Sequence, residues 1–201
     1  MASFLLIRHA ESPWSPDEMR PLSPAGRRAA ECLAESLIGF EIEAIYSSPY
    51  QRALETVTPL AKHFDLPVKE LRDLRERNLG SFRSATIDEA VAETWSDFDF
   101  VHPGGESSRA AQSRALAVSR ILARRHPTGP VALATHGNLL VLLLNAFDRS
   151  ADLDLWRSLS LPDVFHLRVL PSGGGRFERI QVGAAFSSPL NCSLSNKMVN
   201  S

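Results

Sequence analysis

Short runs of mostly apolar residues recur along the chain, separated by stretches with a helical spacing of apolar positions. Residues 4–7, 44–47 and 131–134 form three such runs with little polar alternation. Runs of this length and composition are typical of strands buried in a parallel sheet. Residues 165–170 and 176–182 flank a Ser-Gly-Gly-Gly segment, which predicts a hairpin near the end of the chain.

Helices are predicted between and after these strands. Ser23–Pro24 and Ser48–Pro49 each place a capping serine before a proline, which is expected where a helix begins. The two pairs predict helices that extend to about residues 37 and 62. Further helices are predicted over residues 87–95, 106–125, 138–147 and 152–159. The alternation favours a three-layer α/β/α sandwich with a mostly parallel central sheet.

Length and composition indicate one globular domain. The chain has 201 residues, of which 44% are hydrophobic and 22% charged, and its formal net charge is −1. We predict one domain over residues 1–186 and a flexible tail, rich in Ser and Asn, over residues 187–201. The charge gives no indication of nucleic acid or a membrane surface as partner. The start lacks a basic leader and the longest apolar run is too short to span a bilayer, so we expect a cytoplasmic protein.

The three predicted parallel strands are followed by residues that carry chemistry. Arg8 and His9 follow the first strand, Arg52 lies one helical turn after the second, and His136 follows the third. In parallel sheets, functional groups gather in the loops at the carboxyl ends of the strands. If these strands are neighbours, two histidines and two arginines meet at one edge of the sheet.

Such a cluster suits a tetrahedral dianion better than it suits side-chain packing. Guanidinium groups match phosphate oxygens in bidentate fashion, and the helix starts near Arg52 and Asn138 add backbone N–H donors. A neutral imidazole can attack phosphorus and become phosphohistidine. The leaving oxygen then needs a proton, and Glu76, in an irregular segment, is the best-placed carboxylic acid to supply it.

Five motifs together resemble the histidine phosphatase superfamily, the group that includes cofactor-dependent phosphoglycerate mutase. In chain order they are Leu6-Ile7-Arg8-His9-Ala10-Glu11, Ser47-Ser48-Pro49-Tyr50-Gln51-Arg52-Ala53, Leu74-Arg75-Glu76-Arg77-Asn78-Leu79-Gly80, Pro103-Gly104-Gly105-Glu106-Ser107 and Thr135-His136-Gly137-Asn138. Each motif is weak alone, but their order and spacing cover the chain from Leu5 to about Val182. The resemblance implies the phosphoglycerate mutase-like fold and a phosphomonoester hydrolase.

The resemblance also implies a role for individual residues. His9 is expected to be the nucleophile and Glu76 the proton donor. The residues expected to contact the phosphoryl group are Arg8, Arg52, His136, Gly137 through its backbone N–H, Ser15 and Ser23. No metal, nucleotide or organic cofactor is expected.

Two departures from the family pattern bear on this prediction. Ala10 stands where the first motif usually has glycine, and alanine would be strained by ~1 kcal/mol if the position required a positive φ. The segment after Glu76 lacks the long basic insertion of the mutases. The extra cations expected at the mouth of the site are Arg77, Arg83 and Arg109. A phosphatase is therefore favoured over a mutase.

Three alternatives stay open. A phosphoglycerate mutase-type phosphoryl transferase would use the same phosphate pocket. A metal site built from His9, Glu11 and His136 would give a metallohydrolase, although the neighbouring arginines would repel a cation. A non-catalytic module could bind a phosphorylated ligand in the same place. The expected substrate is a small phosphorylated metabolite of undetermined identity. The oligomeric state is also left open, a homodimer included.

Overall fold

A single mixed sheet lies at the centre of the computed structural model, which describes residues 2–15, 17–170 and 173–182. The strands are β1 (Ala2–Arg8), β2 (Ala44–Ser47), β3 (Val68–Glu70), β4 (Pro130–Thr135), β5 (Asp163–Val169) and β6 (Gly175–Ile180). Their order is β3-β2-β4-β1-β5-β6. The first four strands in this order are mutually parallel. Strand β5 pairs antiparallel with β1, and β6 pairs antiparallel with β5. The predicted mostly parallel sheet is confirmed.

The helices connect these strands and cover both faces of the sheet. They are α1 (Pro24–Ser36), α2 (Gln51–Phe64), α3 (Ile87–Ser96), α4 (Ser108–Arg125), α5 (Gly137–Asn145) and α6 (Leu153–Arg157), with a 3-10 helix at Arg72–Leu74. None of the helices in the described residues is both long and apolar enough to cross a membrane.

Two hydrophobic clusters separate the three layers. Because successive strand residues point to opposite faces, Leu5 and Ile7 pack with α1 and α2, whereas Phe4 and Leu6 pack with α4 and α5. Helix α5 is buried along its whole length, which explains its continuous apolar sequence. The predicted α/β/α sandwich is therefore confirmed.

The structure corrects where two helices begin. Helix α2 starts at Gln51, and its N-cap is Tyr50, whose side chain makes no capping bond. The prediction that Ser48–Pro49 opens this helix was wrong, because the Ser48 hydroxyl binds a histidine instead. Helix α4 starts at Ser108, two residues later than expected, since Ser107 caps it by accepting from a backbone N–H. By contrast, Ser23 caps α1 as predicted. The predicted tail over residues 187–201 lies outside the described residues.

Candidate active site

The carboxyl ends of three adjacent parallel strands bring the predicted site together. Arg8 on β1 is aligned with Thr135 on β4, and Ser47 on β2 is aligned with Ala134 on β4. The ladder continues one residue further, since the His9 N–H donates to the Thr135 carbonyl at 3.0 Å. The residues that follow these strands are therefore neighbours in space, as the sequence predicted.

His9 is held as a neutral imidazole whose Nε2 carries no hydrogen. Its Nδ1 lies 2.7 Å from the Ala10 carbonyl oxygen. Because a carbonyl oxygen can only accept, Nδ1 carries the hydrogen and Nε2 keeps its lone pair. Arg52 Nε donates to that lone pair at 3.3 Å. Burial, with Arg52 and Arg8 as neighbouring cations, lowers the pKa of His9 to about 3. An unprotonated Nε2 in this position is suited to nucleophilic attack.

His136 lies beside His9, with the ring centroids 5.2 Å apart in an edge-to-face arrangement. Its Nε2 is 2.8 Å from the Ser48 hydroxyl oxygen. That oxygen also accepts from the Tyr50 N–H at 3.3 Å, and it has a proton that it can donate to Nε2. His136 Nδ1 then carries a hydrogen. It is buried and has no hydrogen-bond partner among the described residues.

The Arg8 guanidinium is fixed by the loop that precedes β5. Its Nη1 donates to the carbonyl oxygens of Leu159 at 3.0 Å and Ser160 at 3.3 Å. Its Nε is buried and has no partner among the described residues. A Cβ added at Gly137 would lie 3.1 Å from that Nε, so glycine leaves room for the guanidinium against the start of α5.

Arg52 reaches the same place from the first turn of α2. Its side chain is buried, its Nη1 donates to the Glu18 carbonyl oxygen at 3.2 Å, and its Cζ lies 4.8 Å from the Tyr50 ring centroid. Burial, and then the positive charge of Arg20, lower the pKa of Arg52 to about 10. The group therefore stays cationic at neutral pH.

Glu76 bridges the irregular segment after β3 and the start of α5. Its Oε1 accepts from the N–H groups of Arg77 and Leu139, both at 2.9 Å, and its Oε2 accepts from Asn138 N–H at 3.1 Å. The segment itself is anchored where Thr135 Oγ1 donates to the Leu74 carbonyl at 2.7 Å. Since Oε2 accepts only one of the three bonds, it is the oxygen with more capacity to carry a proton.

A cleft of about 880 Å³ opens beside the histidine pair. It shares Arg52 and Glu76 with the site, while His9 and His136 are not part of its walls. The cleft and the histidine pair are therefore adjacent through these two shared residues.

The positive charge at the mouth of the site differs from the prediction. Of the three arginines expected there, only Arg77 borders the cleft. Arg109 is exposed and forms a bidentate pair with Asp99 at 2.6 and 2.9 Å, and Arg83 is an exposed residue outside the cleft. The sequence reasoning missed Arg72 and Arg75, which do line it. Their position just before Glu76 was the available signal.

Two serines predicted to contact phosphate serve local turns in the structure. Ser23 Oγ accepts from Gly26 N–H at 2.9 Å and caps α1. Ser15 Oγ accepts from Asp17 N–H at 3.1 Å. Neither serine borders the cleft. Their contact with phosphate stays a prediction.

Ala10 fits its position without backbone strain. Among the described residues other than glycine, only Asp65 has a positive φ. Ala10 is fully buried and packs with Leu22 and Ala30. Ala10 therefore lacks the positive φ that would strain an alanine.

The alternative metal site is not formed. Residues 2–15, 17–170 and 173–182 contain no group of three or more His, Cys, Asp or Glu side chains that could hold a metal ion. His9, Glu11 and His136 all lie within those ranges. The arginines around the two histidines supply the physical reason, since they would repel a cation.

Comparisons with known proteins agree with this architecture. A family model described as histidine phosphatase superfamily (branch 1) matches residues 4–184. The metal-independent phosphoserine phosphatase of Arabidopsis thaliana is 31% identical over 157 residues, which are 70% of this chain and 66% of that protein. A bisphosphoglycerate-dependent phosphoglycerate mutase of Nitrobacter winogradskyi is 25% identical over 209 residues, which are 93% of this chain and 96% of that protein.

A solved structure shows the same fold. YhfR of Bacillus stearothermophilus superposes with a TM-score of 0.73 at 26% sequence identity, covering 94% of this chain and 100% of that one. The described fold is therefore the one that the five sequence motifs imply.

Proposed function

Because the chain belongs to the histidine phosphatase superfamily, we propose that it hydrolyses small phosphomonoesters by transferring the phosphoryl group to His9. The observation that carries this proposal is the state of the imidazole. Its Nδ1–H is committed to the Ala10 carbonyl, and its Nε2 lone pair faces the Arg52 guanidinium. A phosphoryl group bound by that guanidinium lies in reach of the lone pair.

The donors around His9 suit a dianionic tetrahedral group. Arg8 Nε and His136 Nδ1 are both buried without partners among the described residues. Leaving such groups unpaired costs about 1–3 kcal/mol each, which phosphate oxygens would relieve. Together with the Arg52 guanidinium, they form a fixed set of two cationic groups and one neutral N–H donor, which lowers the barrier by stabilising charge on the equatorial oxygens.

The reaction divides into two displacements at phosphorus. In the first, His9 Nε2 attacks, the bond between phosphorus and the ester oxygen breaks, and the leaving oxygen takes a proton from Glu76. In the second, a water molecule gives a proton to the Glu76 carboxylate and attacks the phosphohistidine, so the bond between phosphorus and nitrogen breaks. Phosphate leaves, and His9 and Glu76 return to their starting protonation states.

Hydrolysis is favoured over a mutase reaction because the cleft beside the site is open to water. A mutase must keep water from the phosphohistidine until the phosphoryl group returns to an acceptor. Here Arg72 and Val101 in the walls of the cleft are exposed to solvent. The proposal includes independence from metal ions, because the arginines supply the positive charge that a metal would supply. A cytoplasmic location stays a prediction.

Phosphate release from a panel of phosphomonoesters in the presence of EDTA tests this function. We expect the wild-type protein to release phosphate and His9→Ala to lose at least 99% of that rate, since about 100-fold is a modest loss for a missing nucleophile. Arg83→Ala is a control that removes a positive charge outside the cleft and should retain the rate. Wild-type turnover that requires added metal, or that survives in His9→Ala, would overturn the proposal.

A further inference from the structure

The cleft beside the histidines contains more positive charge than one phosphoryl group needs. Its charged wall residues are Arg20, Arg52, Arg72, Arg75 and Arg77, against Glu18, Glu76 and Glu106. In the proposed function, Arg52 binds the phosphoryl group. The remaining arginines border the space that the alcohol part of the ester would occupy.

The acids of the cleft are occupied by partners of their own. Glu106 forms two bonds with Arg114, at 2.7 and 2.8 Å. Glu18 Oε1 accepts from the Tyr50 hydroxyl at 2.7 Å, and Glu76 is held by three backbone N–H groups. Five arginines of the cleft wall thus face three carboxylates, one of which is paired with Arg114, so the wall keeps an excess of positive charge.

Arg72 and Arg75 are the two cleft arginines best placed to bind a further group. The Arg72 guanidinium is exposed and makes no hydrogen bond or ion pair within the described part of the chain. Arg75 Nη1 donates to the Arg72 carbonyl at 3.2 Å and lies 3.5 Å from Asp73 Oδ1, whereas its Nη2 is 3.9 Å from the nearest Glu106 oxygen, beyond hydrogen-bond range. Both groups keep N–H donors for a ligand.

The position of these arginines along the chain defines which part of a substrate they face. Arg72 begins the 3-10 helix, Arg75 caps its end, and Glu76 is the next residue. If Glu76 protonates the leaving oxygen, the rest of the leaving alcohol continues into the cleft that Arg72 and Arg75 line. Guanidinium groups bind carboxylate and phosphate in bidentate fashion.

We propose that the leaving alcohol carries a second anionic group, a carboxylate or a second phosphate, that Arg72 and Arg75 bind. This inference rests on the proposed function, because the role of Glu76 fixes the direction of the leaving group. It narrows the substrate class from phosphomonoesters in general to esters with two anionic ends.

Three matched three-carbon phosphate esters test the proposal, ending in a hydroxyl, a carboxylate or a second phosphate. We expect wild-type kcat/KM to be at least about tenfold higher for one charged ester than for the hydroxyl ester, the gain typical of a charge-assisted hydrogen bond. Whichever charged ester is preferred identifies the anion. In Arg72→Ala this preference should fall about tenfold, while kcat/KM for the hydroxyl ester changes less than twofold.

Arg75→Gln should also lose the preference, and Arg83→Ala, which removes an exposed arginine outside the cleft, should keep it. Equal kcat/KM values for all three esters, or an equal loss for all three in Arg72→Ala, would overturn the subsite. Calorimetric binding of the same esters to His9→Ala measures the preference without turnover. Turnover without a preference rejects only the subsite, whereas a binding preference without His9-dependent turnover rejects the proposed function and leaves the subsite standing.

Discussion

At the scale of single residues, the hydrogen atoms on two imidazoles decide the chemistry. The Ala10 carbonyl holds the hydrogen of His9 on Nδ1, and donation by the Ser48 hydroxyl to His136 Nε2 would leave the hydrogen of that ring on Nδ1. One ring therefore presents a lone pair and the other a donor. A site built this way can attack phosphorus and bind its oxygens at the same time.

Ser48 is expected to act as a positioning residue for His136. Replacement by alanine removes the proton given to Nε2, so the ring is free to adopt the other tautomer and lose its Nδ1 donor. We expect Ser48→Ala to lower kcat by about tenfold to 100-fold, the range for a weakened transition-state donor. Nitrogen NMR shifts of the His136 ring should report the change of tautomer.

Ser47→Ala is the matched control for this change. The Ser47 hydroxyl is also buried, but it donates to the Ser48 carbonyl at 2.8 Å and does not touch the histidine. It should lower stability without changing the His136 tautomer or kcat. Unchanged ring shifts together with unchanged kcat in Ser48→Ala would contradict the assignment.

The pKa of His9 makes folding stability depend on pH. Burial and the neighbouring arginines lower this pKa from 6.5 to about 3. Between these two pKa values the unfolded chain binds a proton at His9 that the folded chain does not bind. The free energy of unfolding therefore falls as the pH decreases. From pH 7 to pH 5 the contribution of His9 to this loss should be about 2 kcal/mol.

Urea unfolding of the wild type and of His9→Asn at both pH values measures this contribution. The variant should lose about 2 kcal/mol less than the wild type between them, while the contribution of His136 is common to both proteins. Parallel loss of stability in the two proteins would show that the His9 pKa is not lowered.

At the scale of elements, one carboxylate joins the start of α5 to the segment after β3. Glu76 accepts from N–H groups on both, so the proposed proton donor is fixed relative to the helix that follows His136. The helix start is favourable for a carboxylate because its first N–H groups have no partner within the helix. Structure and catalysis thus depend on the same side chain.

Esters with different leaving groups should distinguish the proposed catalytic role of Glu76 from its structural role in the Glu76→Gln variant. For alkyl phosphates, whose leaving oxygen needs a proton, kcat should fall by at least about 100-fold. For nitrophenyl phosphate, whose leaving group is stable as an anion, the first displacement should slow far less. Steady-state and burst kinetics with both esters make the comparison.

Glu106→Gln is the control for a second carboxylate in the same cleft. This substitution should change kcat for the alkyl and nitrophenyl esters by the same factor, since Glu106 is paired with Arg114. Stability measurements on Glu76→Gln should show a loss of about 1–2 kcal/mol from the weakened bonds to α5. An equal fall in kcat for alkyl and nitrophenyl esters would contradict the role of Glu76 as proton donor.

Local sequence signals identified some elements better than others. The run at residues 44–47 was predicted with the bounds that β2 has, because a buried strand has a distinct composition. Strand β3 was harder to identify because its three residues are only partly buried or exposed. Ser48 shows the limit of local signals, since Ser-Pro resembles a helix start and only the fold brings His136 to the hydroxyl.

At the scale of the whole molecule, the strand order explains why distant motifs form one site. Strand β4 lies between β1 and β2, so the motif near residue 136 is inserted between those near residues 9 and 48. The motifs predicted that these residues act together. The sequence alone did not predict which arginines line the cleft, because loop packing decides that Arg72 and Arg75 face it while Arg109 pairs with Asp99.

Direct detection of phosphohistidine tests whether His9 accepts the phosphoryl group. The protein would be mixed rapidly with a hydrolysed ester, quenched in base, which preserves phosphohistidine, and mapped by peptide mass spectrometry. We predict that the mass of one phosphoryl group appears on His9 within the first turnover and disappears as phosphate is released. Phosphate release with no modification of His9, or with the phosphoryl group on another residue, would contradict it.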